Sequence, residues 1–190
     1  MADDATVSRG FLVRLTRRLE HPVAILKRIG AMVASRSQAR FNEQKGPDGE
    51  EWPERAVPNI PGILDDLQWG ASVKSRRFDA RPVLLDTGRL RQSINWQLLS
   101  ENEVEIGTNI PYAADHQFGA EREIQITPTI HTNLMAWLRT TVGRPWKPWL
   151  SWLLGETSIE FSIIPREFLG ISDEDAEDIR QIVIDGLIPP

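Results

Sequence analysis

The stretch that decides the fold is Ile94 to Gly107, INWQLLSENEVEIG. Ile94, Trp96 and Leu98 alternate with Asn95 and Gln97, and Val104 and Ile106 alternate with Glu103 and Glu105. A period of two is the signature of a strand with one face on the core and one in water. Ser100-Glu101-Asn102-Glu103 supplies the turn, so the segment reads as an antiparallel hairpin. Antiparallel strands flanked by helices rather than alternating with them place the chain in the α+β class.

Outward from the hairpin, the periodicity changes to helical. Val23, Leu26, Ile29, Val33 and Phe41 recur at three- and four-residue spacing, which predicts a long N-terminal helix. Pro22 suits its first turn, and Gly46-Pro47-Asp48-Gly49 is the expected stop. An earlier amphipathic piece spans Phe11 to Leu19. At the other end, Ser172 with Asp175 three residues on predicts a capping box. Ile179, Ile182, Val183 and Leu187 form the apolar stripe of a C-terminal helix, and its acidic start suits the helix dipole.

Toward the middle, Ile124 and Ile126 alternate with Glu123 and Gln125, and Ile159, Phe161 and Ile163 alternate again, giving two more short strands. Tyr112 to Phe118 reads as a short helix or turn closed by Gly119, and Gly88 to Gln92 as another. The expectation is a small antiparallel sheet packed by the N- and C-terminal helices, in a single domain over 1–190, with a Trp-rich helical insertion at 127–157. Two short helices are expected there, joined by Gly143-Arg144-Pro145. Residues 46–84, with Pro47, Pro53, Pro58, Pro61 and Pro82, read as a long irregular excursion with a short helical turn over Ile63 to Trp69.

The composition excludes several functions. The 190 residues contain no cysteine, which removes disulfides, thiolate zinc sites, iron–sulfur clusters and a cysteine nucleophile. The formal charge of −5 argues against a general nucleic-acid binder. No run approaches the roughly 20 apolar residues of a membrane span, and the N-terminus lacks the features of a signal peptide, so a cytosolic start is expected.

Catalytic and metal-binding signals are weak. His21, His116 and His131 are scattered, and no HExxH is present. The pairs Glu50-Glu51 and Asp65-Asp66 could ligate a divalent ion, but they read first as solvated loop carboxylates. His116 beside Asp115 reads as a structural histidine. Arg14, Arg17, Arg18, Lys27 and Arg28 could form a cationic stripe on the N-terminal helices. Trp137, Trp146, Trp149 and Trp152 are four of the seven tryptophans. They either pack the insertion onto the sheet or form a subunit interface, where Trp is enriched.

Four blocks then read together. The first runs from Arg40-Phe41 through Gly46-Pro47-Asp48-Gly49 to Trp52. The second is Leu85-Asp86-Thr87-Gly88-Arg89-Leu90 with Ser93-Ile94. The third is Val104-Glu105-Ile106-Gly107-Thr108 with Tyr112-Ala113 and His116-Gln117-Phe118-Gly119. The fourth is Ile164-Pro165-Arg166-Glu167-Phe168-Leu169-Gly170-Ile171-Ser172. In this order the set resembles the phage virion morphogenesis family, the tail-completion proteins of tailed phages and Mu-like prophages. The fourth block is shorter than the family's usual Ile-Pro-Ala-Arg-Pro-Phe-Leu-Gly, and the Trp-rich insertion exceeds the usual length.

The resemblance implies a structural virion protein of the head–tail joint, or neck, assembled in the host cytoplasm. It implies a homo-oligomeric ring, often a hexamer, that completes or terminates the tail and meets tail-tube and head-connector proteins. Genome DNA would pass through the lumen without specific contact. The resemblance brings no catalytic residue, cofactor, metal or membrane partner. Trp137, Trp146, Trp149, Trp152, Arg14, Arg17 and Arg18 are the subunit-interface candidates. In the block residues, Tyr112, His116 and Phe118 are expected to pack a turn against the sheet, and Phe41 and Trp52 to lie in the core. The competing reading is a DNA-contacting packaging or nuclease-type factor, supported by the Arg cluster alone; a small hydrolase is a third.

Overall fold

The computed structural model describes residues 20–56, 58–70, 72–74, 82–140 and 148–188, together with Thr16 and Arg77. The expected Phe11 to Leu19 piece apart from Thr16, its Arg14, Arg17 and Arg18, the Gly143-Arg144-Pro145 link and Trp146 lie outside the described residues. The chain divides into two compact units. Unit 1 comprises residues 1–52, 84–113 and 167–190, and unit 2 comprises residues 53–83 and 114–166.

Unit 1 is built on α1 (Val23–Glu43), the expected long helix. It ends one turn before the Gly-Pro-Asp-Gly segment, because Gln44 takes the left-handed conformation (φ 59°) and returns its N–H to the Arg40 carbonyl. The Gly-Pro-Asp-Gly segment instead closes a tight reversal, with Gly46 N–H on the Glu50 carbonyl at 2.8 Å and Trp52 N–H on the Gln44 carbonyl at 2.8 Å. The reversal returns Trp52 to the helix it has just left. Trp52 meets Phe41 edge-on at 5.4 Å, and Phe168 lies 5.4 Å from Phe41 on another side. Phe41 and Phe168 are fully buried, as a core aromatic cluster requires.

The hairpin forms as expected from β1 (Asn95–Ser100) and β2 (Glu103–Gly107). Its register pairs Trp96 with Ile106, Gln97 with Glu105 and Leu98 with Val104. Trp96 and Val104 turn toward α1 at Gly30, where an added Cβ would come within 2.9 Å of Trp96 and 2.8 Å of Val104. The helix can lie this close to the sheet because Gly30 has no side chain. A short helix, α3 (Arg89–Ser93), buries Leu90 just before the hairpin, and Ile94 at the hairpin's entry is buried too.

Unit 2 holds α2 (Ile60–Trp69), α4 (Ala113–Phe118, all but its first residue), β3 (Ala120–Gln125), α5 (Pro128–Thr140), a 3-10 helix (Pro148–Gly155) and β4 (Ser158–Ile163). The two helical pieces expected between the late strands are therefore present. Ile63, Leu64, Leu67, Ile130, Leu134, Trp137, Leu150 and Leu153 form its core. α2 is a full helix where sequence reading expects a turn. Its proline misleads: Pro61 lies in the first turn, where no donor is needed, and Asn59 caps the helix by accepting from Gly62 N–H.

The four strands make two separate two-stranded antiparallel sheets, β1–β2 and β3–β4, within the expected α+β class. The ladder from Ala120↔Ile163 to Gln125↔Ser158 gives β3 its partner from beyond the helical segment. A two-stranded ribbon is marginal alone. β1–β2 leans on α1, and Ile124 and Ile159 of β3–β4 pack against the helical core of unit 2.

The last element of unit 1 is α6 (Asp173–Leu187). Its capping box forms as the sequence predicts. Asp175 N–H donates to Ser172 Oγ at 3.0 Å, and Ser172 N–H to Asp175 Oδ2 at 2.9 Å. Ile179, Ile182, Val183 and Leu187 are half-buried.

Candidate functional site

In unit 1 the first and fourth sequence blocks converge on Arg40 and Asp175. The Arg40 guanidinium donates to the Phe168 carbonyl at 3.2 Å, to the Gly170 carbonyl at 2.9 Å and to Asp175 Oδ2 at 2.6 Å. Arg36 donates to Asp175 Oδ1 at 2.7 Å and also to Asp178. Trp52 Nε1 donates to the Glu167 carbonyl at 3.1 Å. Gly170 lies against Pro47, and a Cβ there would meet the proline ring at 2.7 Å.

Asp175 is 1 % exposed. Burial pushes its carboxyl up, but hydrogen bonds from Ser172 and Arg36 and the charge of Arg40 outweigh this and hold it below the usual carboxylate range. The Arg36 guanidinium is raised, chiefly by its bond to Asp175. An open hollow of about 640 Å³ lies beside this cluster, lined by Arg36, Arg40, Lys45, Asp48 and Glu174 among others. Arg36, Arg40 and Asp175 are thus spent on holding α1, α6 and the Phe168–Gly170 backbone together.

The second and third blocks also hold backbone. Ser93 Oγ donates to the Leu90 carbonyl at 2.7 Å and lies 2.6 Å from Thr108 Oγ1, which accepts from Ile110 N–H at 3.2 Å.

In unit 2, Arg166 gathers three carbonyls: Pro53 at 2.9 Å, Glu54 at 3.1 Å and Ile164 at 3.2 Å. Its own N–H donates to the His116 carbonyl at 2.7 Å. Burial, then the charge of Arg166, lowers the His116 imidazole below its ordinary value. The Asp115 charge acts in the opposite direction without reversing the shift, and both of its carboxylate oxygens accept from Arg122. Asp66, expected as a solvated loop carboxylate, is instead buried. It accepts from Arg77 Nε and Nη2 at 3.0 Å each and from Lys74 N–H at 3.1 Å. Burial raises its carboxyl, but these partners outweigh burial and set it below the usual range. Among the described residues no group of three or more histidines and carboxylates could hold a metal ion. No helix among them is long and apolar enough to cross a membrane.

The interface candidates separate. Trp137 is buried in the unit 2 core, because it shares a helical face with Ile130 and Leu134. Trp152 is 44 % exposed, and Trp149 lies on the 3-10 helix. Lys27 and Arg28 are exposed on α1. Two expected packing residues are corrected: Phe118 is 77 % exposed and Tyr112 41 % exposed, while Gln117 and Ala113 turn inward in their place. Sequence reading also passes over Trp69, 83 % exposed at the end of α2. The available signal was its place one residue before Gly70, outside the Ile63–Leu64–Leu67 stripe.

What this geometry provides is a scaffold whose polar blocks fasten backbone while several large apolar side chains face outward. The chain belongs to the phage virion morphogenesis family, which it matches over residues 3–187. Membership gives it a structural role in virion assembly, among other virion proteins. No curated protein and no solved structure matches the chain.

Proposed function

We propose that the protein completes or terminates the phage tail at the head–tail joint, acting as a ring of identical subunits. The observation that carries this reading is the exposure of Trp69 (83 %) and Phe118 (77 %), the two most exposed of the large hydrophobic side chains among the described residues. Tryptophan in particular is enriched at interface hot spots, so large aromatics left in water are candidates for an assembly surface. Phe118 belongs to the third of the blocks on which the family resemblance rests. In this reading the whole chain, 1–190, is one tail-completion-like domain carrying the 127–157 segment as a helical insertion.

Trp146, Trp149 and Trp152 of the insertion and Arg14, Arg17 and Arg18 of the N-terminal segment are the interface candidates that remain, joined now by Trp69 and Phe118. Trp137 serves the core instead. The ring sits at the top of the tail, between tail tube and head connector, and passes genome DNA without specific contact. A net charge of −5 favours such a lumen over one that grips DNA.

Light scattering on the purified protein, followed by negative-stain imaging, tests the ring; about six subunits is the expected mass from the resemblance. Absence of the protein from purified virions overturns the neck assignment.

A further inference from the structure

Unit 1 presents two surfaces of opposite charge, and the separation arises from its layering. α1 packs one side on the hairpin, through Gly30, and another on α6, through Ile25 and Arg36. The stripe left over is Ala24, Lys27, Arg28, Ala31 and Ser35, all exposed. Its side chains are small except for the two cations, and neither cation has an ion-pair partner among the described residues. The hairpin likewise packs one face on α1 and leaves the other open. That open face carries Asn95, Gln97, Glu103 and Glu105, with Leu99 at its bulge 52 % exposed. Gln97 donates to Glu105 at 2.8 Å, which holds one carboxylate upright on the sheet.

We infer that the open face of the β1–β2 hairpin docks on the Lys27–Arg28 stripe of α1 in a second copy of this chain. Charge complementarity selects the occupant. A face with two carboxylates and no cation meets one with two cations and no carboxylate, and small Ala24 and Ala31 leave room for the sheet and for Leu99. The two patches are different surfaces of one subunit, so the contact is heterologous. Repeated head to tail, it makes a ring where the rotation closes and a filament where it does not. This inference rests on the ring reading above and assigns its contact.

The test uses charge reversal in the full chain. One variant carries Lys27→Glu and Arg28→Glu; the other carries Glu103→Lys and Glu105→Lys. All four positions are exposed, so circular dichroism and the unfolding midpoint should match the parent. Each variant alone should need about tenfold or more concentration to assemble by light scattering, because every contact then sets like charges face to face. An equimolar mixture should recover the parental mass, since each variant's helix stripe now complements the other's hairpin. Assembly of the parent should also weaken at 1 M salt, where screening acts within about 3 Å.

Unchanged assembly of the single variants overturns the inference. So does a mixture that fails to recover. A parent that stays monomeric at every concentration also overturns it, whereas the neck assignment fails separately, on the protein composition of virions.

Discussion

Unit 1 and unit 2 solve the same problem with different materials. Unit 1 fastens segments far apart in the chain through charged groups aimed at backbone, with Arg40 alone reaching Phe168, Gly170 and Asp175. Unit 2 packs three helical pieces through a continuous apolar core, and keeps Asp66–Arg77 and Arg166 for pinning loops. Apolar packing is non-directional and tolerates small shifts. A guanidinium fork holds one geometry. The unit that holds the whole of the first and second blocks is thus fastened by directional bonds, while the helical segment between β3 and β4 relies on burial.

The largest effect that would test this contrast is Phe41→Ala. The ring is fully buried between Trp52 and Phe168, so its loss should cost about 4 kcal/mol in denaturant unfolding. Leu134→Ala, the corresponding cut in unit 2, should cost about 3 kcal/mol. If the two units unfold separately, the transitions affected by these two variants will differ; one shared transition would break the comparison.

Asp175→Asn should cost about 2–3 kcal/mol near neutral pH, because Arg36 and Arg40 lose their shared carboxylate. The folded-state pKa of Asp175 is lowered, so its contribution is complete above the ordinary carboxylate value of about 3.9 and is lost as pH falls through the folded value. The Asn variant should therefore lose less stability on acidification than its parent. Unit 2 carries a second pH dependence nearer neutrality. His116 has a lowered folded pKa, so the unfolded chain takes up a proton that the fold resists. Stability should fall as pH drops below about 6.5, and His116→Gln should flatten that part of the curve.

Ser172→Ala removes the side-chain cap of α6 and should cost about 1 kcal/mol. Smallest for stability is Trp69→Ser, expected within about 0.5 kcal/mol because the ring is in water. Its effect should appear in assembled mass instead, and an unfolding midpoint that drops sharply would show that Trp69 is packed after all.

Elements specified by their own neighbours were legible. The Ser172–Asp175 box, the β1–β2 hairpin and the long N-terminal helix each follow from residues within a few positions. Elements specified by distant partners were not. Asp66 reads as a loop carboxylate until Arg77 is placed beside it. Trp137 reads as core or as interface until Ile63, Leu64 and Leu67 arrive from α2. One sheet or two cannot be read from strand periodicity, since β3 finds β4 only across the helical segment. Of the candidate surfaces, the exposed cations of α1 are visible in the sequence as a pattern, whereas Phe118 reads inward because an aromatic in a motif reads first as core.

The Arg40–Asp175 clasp also sets an order of events during synthesis. Everything unit 2 needs has been made once residue 166 leaves the ribosome, and unit 1 waits for α6. Arg40 is therefore translated early but paired late, while the segment between it and its partners has already had time to fold. The nascent chain carries α1 without its clasp until α6 has been made, and α6 acts as the latch.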